Sequence, residues 1–236
     1  MRTTTIACAF AFLILVRPAF AQEWFTYTSE RDSFQMYVPT QPKIAESTWK
    51  SQTGFTMPAR TYTIEHGKNR YTVTVVDYSS AAEQGRQRSI SCPAVDANCV
   101  GSNLSGEGYW KHDVRGAMLY AAARLLKRDV KITDLSWNQL TSISSILVQS
   151  QNNRDQSLNY AVVTMHENLL YIAEGTVPKG SPSPSIFAGS FSVLEKGSDR
   201  PPRYPTVYSH EIHGLREAPI PSGERRLVVP GRPTAQ

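Results

Sequence analysis

Apolar and polar residues alternate along the first half of the chain with the period of two that is typical of β-strands. Near residue 34 every second position is apolar, as in Phe34, Met36 and Val38, and a proline follows. Residues 70–78 are rich in β-branched and aromatic side chains, which predicts the central strand of a sheet. The same reasoning predicts further strands at 44–52, 59–66, 144–151, 160–165 and 169–176.

The period changes to that of a helix in residues 109–128, whose apolar positions fall within about a third of the helical circumference. These positions are Trp110, Val114, Ala117, Met118, Ala121 and Leu125. Residues 185–191 predict a short closing helix with Phe187 and Phe191 on one face. Because the connections between predicted strands are short, we expect an antiparallel β-sheet meander flanked by helices, a fold of the α+β class.

The N-terminal segment has the pattern of a secretory signal peptide. Arg2 precedes an apolar run, and Ala19 and Ala21 supply the small residues of a cleavage site before Gln22. We therefore expect residues 1–21 to be removed and the mature protein to be periplasmic or secreted. The apolar run is too short to cross a bilayer and no second long run follows, so we expect no transmembrane segment in the mature chain.

The remaining chain divides into a domain and a tail. Residues 22–196 carry the periodic pattern and are expected to form a single α+β domain. Inside it, residues 79–108 lack usable periodicity and are expected to form a long loop. Residues 197–236 are rich in proline and arginine and are expected to be disordered, because they cannot bury enough apolar surface to fold.

Charge narrows the range of partners. The formal net charge is +5, and two of the basic residues lie in the predicted signal peptide. Elsewhere basic side chains stand beside acidic ones, as in Glu30-Arg31-Asp32, which indicates solvated surfaces of mixed charge. A nucleic-acid interface would need a basic stripe with interleaved aromatic residues, so we expect no nucleic-acid partner.

Two cysteines remain after the predicted signal peptide. Cys92 and Cys99 form an even pair in a chain with an export signal, which favours a disulfide over a metal site. In the chain-entropy model, closing so short a loop stabilises by about 2.5 kcal/mol. A redox-active pair is the alternative, and it is disfavoured because that chemistry usually has two residues between the cysteines.

The sequence has no Gly-x-Ser-x-Gly elbow, phosphate-binding loop, dinucleotide fingerprint or His-Glu-x-x-His, and we expect no cofactor. We also expect no metal, because His210 and His213 have no third ligand nearby. Asp77 ends the predicted central strand on the face of Val73 and Val75, where burial would raise the pKa of an unpaired carboxyl. It is a candidate general base, and the alternative is an acid that caps the following turn or pairs with an arginine.

Several stretches of the chain, all within about residues 24–196, resemble the PsbP and Mog1-like superfamily, including exported bacterial proteins grouped near it. They are Phe34-x-Met36-x-Val38-Pro39 with Pro42, the strand 70–78, the helix 109–128, Leu169-Leu170-Tyr171 and Phe187-x-x-Ser190-Phe191. The resemblance implies an antiparallel sheet sandwiched with helices, and members that act as binding or assembly accessories. Those members serve a photosystem or bind a small GTPase, and neither partner fits an exported chain, so no functional residue is carried over.

Two classes of function stay open. The first is a non-catalytic exported module that binds an envelope protein or a small ligand through the 79–108 segment and the neighbouring sheet face, with Arg86 and Arg88 as candidate partner contacts. The second is a hydrolase or lyase of an unrecognised type that uses Asp77 with a nearby His or Tyr. A concave site with converging titratable groups would favour the enzyme, whereas a surface patch would favour the binding module.

Overall fold

A computed structural model describes residues 24–91, 109–138 and 143–202, and in these ranges the chain forms ten β-strands and three α-helices. Seven strands form one sheet: β3 (Lys43–Lys50), β4 (Thr56–His66), β5 (Asn69–Asp77), β6 (Val130–Asn138), β7 (Ser145–Asn152), β8 (Leu158–His166) and β9 (Leu169–Val177). A smaller sheet contains β1 (Phe25–Ser29), β2 (Phe34–Val38) and β10 (Ser192–Val193). The helices are α1 (Ala81–Ser91), α2 (Tyr109–Leu126) and α3 (Ser185–Ser190).

The large sheet runs in the order β3-β4-β5-β9-β8-β7-β6, and its neighbouring strands are antiparallel. Tight turns join β4 to β5 and β8 to β9, and Gly67 in the first of them has the positive φ of 61° that such a turn favours. The two halves of the chain meet where β5 pairs with β9 at the centre of the sheet. The predicted α+β fold class is therefore confirmed, as is the central place of the 70–78 strand.

The small sheet and α3 cover one face of the large sheet. Tyr71 and Val73 of β5 point to this side and pack with Phe34 of β2 and Phe187 of α3. Phe34 and Phe187 have no exposed surface. The ring of Tyr71 lies 4.9 Å from that of Phe187, within the range in which aromatic pairs attract. This face is therefore a closed, aromatic-rich core.

Helices α1 and α2 lie on the opposite face, where α2 contacts β7, β8 and β9. The predicted apolar stripe of α2 is confirmed, because Val114, Ala117, Met118, Ala121 and Leu125 are buried in this second core. The side chain of Trp110 lies outside the described residues. The stripe fixes the side of the helix that meets the sheet, and the opposite side stays in solvent.

The predicted long loop at 79–108 is wrong for its first part, where α1 forms. This helix buries Ala81 and Gly85 and exposes polar side chains elsewhere, so it lacks the apolar stripe that a periodicity analysis detects. Its Glu83 instead binds Arg86 and Gln87 one turn later, the spacing at which helical side chains meet. Residues 92–108, including Cys92 and Cys99, lie outside the described residues.

The sequence patterns did not predict β6, β1 or the two-residue β10. In β6 two large apolar side chains point outward, with Leu135 exposed by 52% and Trp137 by 58%, so the strand does not bury one regular apolar face. Its register with β7 also shifts between Ile132 and Asp134, as at a β-bulge. In β1, at the edge of the small sheet, Phe25 and Tyr27 alternate with exposed threonines.

The structure describes only the start of the predicted tail. The backbone N–H of Glu195 donates to the carbonyl of Arg200 at 2.8 Å, and Pro202 is buried. Residues 203–236 and the predicted signal peptide at 1–21 lie outside the described residues. Disorder of that part of the tail and cleavage before Gln22 therefore stay predictions.

Candidate functional site

A groove of about 720 Å³ opens on the α2 face of the large sheet. It is lined by residues of β3, β4, β5 and β9, by the C-terminal half of α2, by residues that follow α2 and β9, and by the β4–β5 and β7–β8 connections. The groove lies beside α2, which packs on β7, β8 and β9, and includes the turn end of the β4–β5 hairpin. Its volume falls within the range of about 300–1,000 Å³ that is typical of small-ligand sites.

Threonine hydroxyls form the floor of this groove. Alternation along β5 turns Arg70, Thr72 and Thr74 toward the groove, and Thr61 of β4 and Thr176 of β9 lie on the same face. The threonines are half-buried. The hydroxyls of Thr61 and Thr74 are 3.4 Å apart, which is longer than an ordinary O–H···O bond, so both keep most of their capacity to bind a ligand.

Basic side chains outnumber acidic ones along the walls. Lys68 and Arg70 stand at the hairpin end, and in the described part of the chain neither has an ion-pair or hydrogen-bond partner. Arg128 follows α2 and donates to both carboxylate oxygens of Glu174 at 2.9 Å. Asp155 is the second carboxylate among the described lining residues, against four basic side chains. The groove therefore favours an anionic ligand.

Trp49 and Arg124 form the corner where β3 approaches α2. The guanidinium carbon of Arg124 lies 4.1 Å from the centre of the Trp49 ring, a cation–π contact. Tyr120 meets the same indole edge-on, with ring centres 6.1 Å apart. An arginine held over an aromatic face keeps the N–H donors in its plane available, so Arg124 is pre-oriented for a carboxylate or a phosphate.

A cluster of polar groups is buried behind this corner. In the part of the chain that the structure describes, the Thr53 hydroxyl and one Asp113 carboxylate oxygen have no hydrogen-bond partner, and the Trp49 indole nitrogen lies beside the Tyr78 hydroxyl. The other Asp113 oxygen accepts from the backbone N–H of Thr53 at 3.0 Å. Burial, and secondly the charge of Asp113, raise the pKa of Tyr78, so its hydroxyl stays protonated. The protein beneath this end of the groove is therefore polar.

A second polar network is centred on Asp32, on the covered face of the sheet. Asp32 has no exposed surface. Its carboxylate accepts from Arg60 Nε at 2.7 Å and from the hydroxyl of Tyr62 at 2.6 Å, and Arg60 Nη2 binds the other oxygen. Its carbonyl accepts from the hydroxyl of Tyr171 at 2.8 Å. The prediction that Glu30-Arg31-Asp32 is a solvated surface is therefore wrong for Asp32.

These bonds connect the β1–β2 turn of the small sheet to β4 and β9 of the large sheet, so the network joins the two sheets. Burial, and secondly the bond to Asp32, raise the pKa of Tyr62 to about 12. Burial also raises the pKa of Tyr171, and the bond to Asp32 raises that of Arg60. Both tyrosines are protonated donors and Arg60 is charged at neutral pH, so the donors that Asp32 needs are always present.

Asp77, the predicted candidate base, caps a turn. Its Oδ1 accepts from the backbone N–H of Ser79 at 2.8 Å, which is the local bond that aspartate makes at the start of turns. The side chain is half-buried, and Asp77 is not among the described residues that line the groove. The geometry therefore matches the alternative role that the sequence left open for this residue.

Arg86 and Arg88, the predicted partner contacts, lie on α1. Arg86 is exposed and its guanidinium binds Glu83 at 2.6 and 2.9 Å. Arg88 is half-buried, donates to the Thr53 carbonyl at 2.9 Å and lies 4.0 Å above the ring of Phe55. Arg88 therefore holds the β3–β4 turn against α1, and the contact of either arginine with a partner stays a prediction.

The groove residues were missed, although the sequence carried a signal for them. Every second residue of β5 from Arg70 to Thr74 is polar, which marks one face of a strand as exposed. Arg124 and Arg128 are four residues apart, the spacing that places two side chains on one flank of a helical segment. No local pattern indicated that the hairpin and the end of α2 would meet, because that proximity depends on the pairing of β5 with β9.

In the part of the chain that the structure describes, no three His, Cys, Asp or Glu side chains converge as a metal site requires. Among the described helices, none combines the length and apolar character needed to cross a membrane.

No protein-family model and no curated protein matches the chain. Among solved structures, it is similar to the solution structure of cyanobacterial PsbP (CyanoP) from Synechocystis, with 10% identity, a TM-score of 0.41, and coverage of 75% of this chain and 96% of that one. It is also similar to a crystal structure from Bacteroides thetaiotaomicron, with 10% identity, a TM-score of 0.33, and coverage of 76% and 52%. Likenesses this distant carry no functional argument, and the relation to the PsbP and Mog1-like superfamily stays a resemblance.

Proposed function

We propose that this protein is a non-catalytic, exported binding module that holds an anionic ligand in the groove between α2 and the β4–β5 hairpin. The observation that carries the proposal is the pair Lys68 and Arg70, which have no partner within the described residues and face a floor of threonine hydroxyls. Basic side chains without internal partners keep their full charge for a ligand. The leader pattern of residues 1–21 supports a place of action outside the cytoplasm.

The ion pair of Arg128 with Glu174 supports binding rather than catalysis. It fixes one cation beside the groove without supplying a free base, and the second lining carboxylate, Asp155, is exposed. A catalytic site needs titratable groups that converge on a reacting atom. The alternative, an enzyme that uses Asp77, is not supported by the geometry. The Asp77 carboxylate accepts a hydrogen bond from the backbone N–H of Ser79, and Asp77 is not among the described residues that line the groove.

Calorimetric titration of the mature protein at low ionic strength tests the proposal. The probes are inorganic phosphate, triglutamate with blocked termini, and trigalacturonate. We expect at least one probe to bind, and K68A/R70A to weaken that binding by about tenfold or more, a change of about 1.4 kcal/mol in binding free energy. Added salt should weaken binding too, because exposed charges are screened.

The matched control is R115A/K131A, which removes the same charge from two exposed positions that do not line the groove. It should leave the affinity unchanged. Failure of all three probes to bind would show the proposal to be wrong, as would an equal loss of affinity in the control variant.

A further inference from the structure

We infer that the ligand of the groove is an acidic oligosaccharide of the uronate type, an inference that rests on the proposed function. The first reason is the pairing of the floor strands. β4 pairs with β3 and β5, β5 with β4 and β9, and β9 with β5 and β8. At Thr61, Thr72, Thr74 and Thr176 the strand therefore has a paired neighbour on both sides, and no backbone group is offered to a ligand there as a strand edge would offer it. Recognition at the floor falls to side chains alone.

The second reason is the chemistry of those side chains. A threonine hydroxyl both donates and accepts, which matches the hydroxyls of a sugar ring, whereas an acidic peptide offers few hydroxyls to meet. Thr61 of β4 stands directly opposite Thr74 of β5, and Thr72 follows on the same face of β5. Thr176 adds a fourth hydroxyl, which accepts from the amide of Asn159 at 2.9 Å and can still donate to a ligand.

The third reason is the placement of charge. Lys68 and Arg70 stand at the hairpin end, where Arg128 is paired with Glu174. Arg124 lies over Trp49, toward the opposite end of β4. A single small anion meets the donors at one end, so cations at both ends of a hydroxyl floor favour a ligand with repeated negative charges. A chain of uronate rings carries one carboxylate and several hydroxyls in each unit, which matches this alternation of cations and hydroxyls.

A nucleic-acid strand fits the groove less well. Single-stranded nucleic acids bind by stacking their bases on exposed aromatic rings. Trp49 is the aromatic side chain among the described lining residues, and Arg124 and Tyr120 already contact its ring.

The experiment compares ligands matched in charge and length. Calorimetry at low ionic strength would titrate the mature protein with trigalacturonate, its fully methyl-esterified neutral form, triglutamate with blocked termini, and inorganic phosphate. We expect trigalacturonate to bind at least about tenfold more tightly than triglutamate and phosphate. The ester should not bind, because it has lost the charges that Lys68 and Arg70 would meet.

Two variants separate hydroxyl recognition from charge. T72V/T74V removes two hydroxyls at nearly constant shape and should weaken trigalacturonate several-fold without changing the affinity for triglutamate. K68A/R70A should weaken both acidic trimers. Thermal unfolding of each variant would verify that it is folded.

The outcomes are distinct. Equal or tighter binding of triglutamate or phosphate, tight binding of the ester, or insensitivity to T72V/T74V would overturn the saccharide inference while an anion-binding groove stands. Absence of binding by every probe would remove the proposed function itself.

Discussion

The two faces of the large sheet are built from the same strands and perform different tasks. On β5, Tyr71, Val73 and Val75 enter the core beneath the small sheet, whereas Thr72 and Thr74 stand between them on the groove side. Because adjacent residues of a strand point to opposite faces, one short segment contributes both to the stability of the domain and to a polar surface. Substitutions at neighbouring positions should therefore affect different properties.

The two faces also differ in how their charges are satisfied. On the covered face Asp32 is fully buried and accepts from Arg60 and Tyr62, so the network is closed. On the groove side Lys68 and Arg70 have no such partner in the described residues. A closed network contributes to stability when it is intact, and open charges are available for a ligand.

The largest expected effect is that of Arg60→Met. Removing this guanidinium leaves the Asp32 carboxylate buried without its charged partner, which costs about 3–5 kcal/mol of unfolding free energy. Chemical denaturation measures the loss. Arg31→Met is the matched control, because its ion pair with Glu46 is exposed and such pairs contribute little. Equal losses in the two variants would mean that Asp32 does not depend on Arg60.

Gly175→Ala tests the packing of the covered face. A Cβ at this position of β9 would lie 2.7 Å from the Pro184 Cβ and 3.2 Å from a ring carbon of Tyr71. We expect a loss of about 1–3 kcal/mol, as for other overpacked cores. Gly189→Ala in α3 is the control, because nothing lies within 4 Å of its added Cβ. A tolerated alanine at 175 would show that α3 can move away from the sheet.

Tyr62→Phe tests the Asp32 network through the pH dependence of the unfolding free energy. The folded pKa of about 12 exceeds the ordinary value of 10.0, so the protonated hydroxyl is favoured in the folded protein. That contribution is fully present below the ordinary pKa and is lost as the pH rises through the folded one. The variant should lose about 1 kcal/mol at neutral pH.

Unfolding free energy measured against pH for both proteins checks this prediction. The difference between wild type and Tyr62→Phe should shrink between pH 10 and about pH 12. A constant difference over that interval would contradict the raised pKa that burial and the bond to Asp32 give Tyr62.

The sequence predicted the elements whose apolar side chains face inward. Period-two alternation located β2, the run of β-branched and aromatic residues located β5, and the helical stripe located α2, because each of these patterns follows directly from burial. It did not predict α1, whose exposed sides are polar, or β6, whose Leu135 and Trp137 face solvent. The groove could not be predicted from local sequence patterns, because it brings together residues of β5 and α2 that lie about fifty positions apart in the sequence.

Asp32 is a second residue whose environment the local sequence did not predict. An acid flanked by Glu30 and Arg31 has the local context of a surface residue, and its burial depends on Arg60 and Tyr62, which are 28 and 30 positions away. The run of charged residues Glu30-Arg31-Asp32 therefore did not indicate that the Asp32 side chain is the one that the fold buries.

The smallest expected effect on stability is that of T72V/T74V, and it tests the contrast between the two faces within one strand. Both threonines are half-buried on the groove side, so the unfolding free energy should change by no more than about 0.5 kcal/mol. The mirror variant V73T/V75T places hydroxyls in the covered core, where Val73 has no exposed surface, and should cost about 1–3 kcal/mol for each unsatisfied group. Chemical denaturation of the two variants gives the comparison directly. If both pairs lost similar stability, the groove face would be packed as tightly as the covered face, and the threonines would be structural residues rather than a surface left open for a ligand.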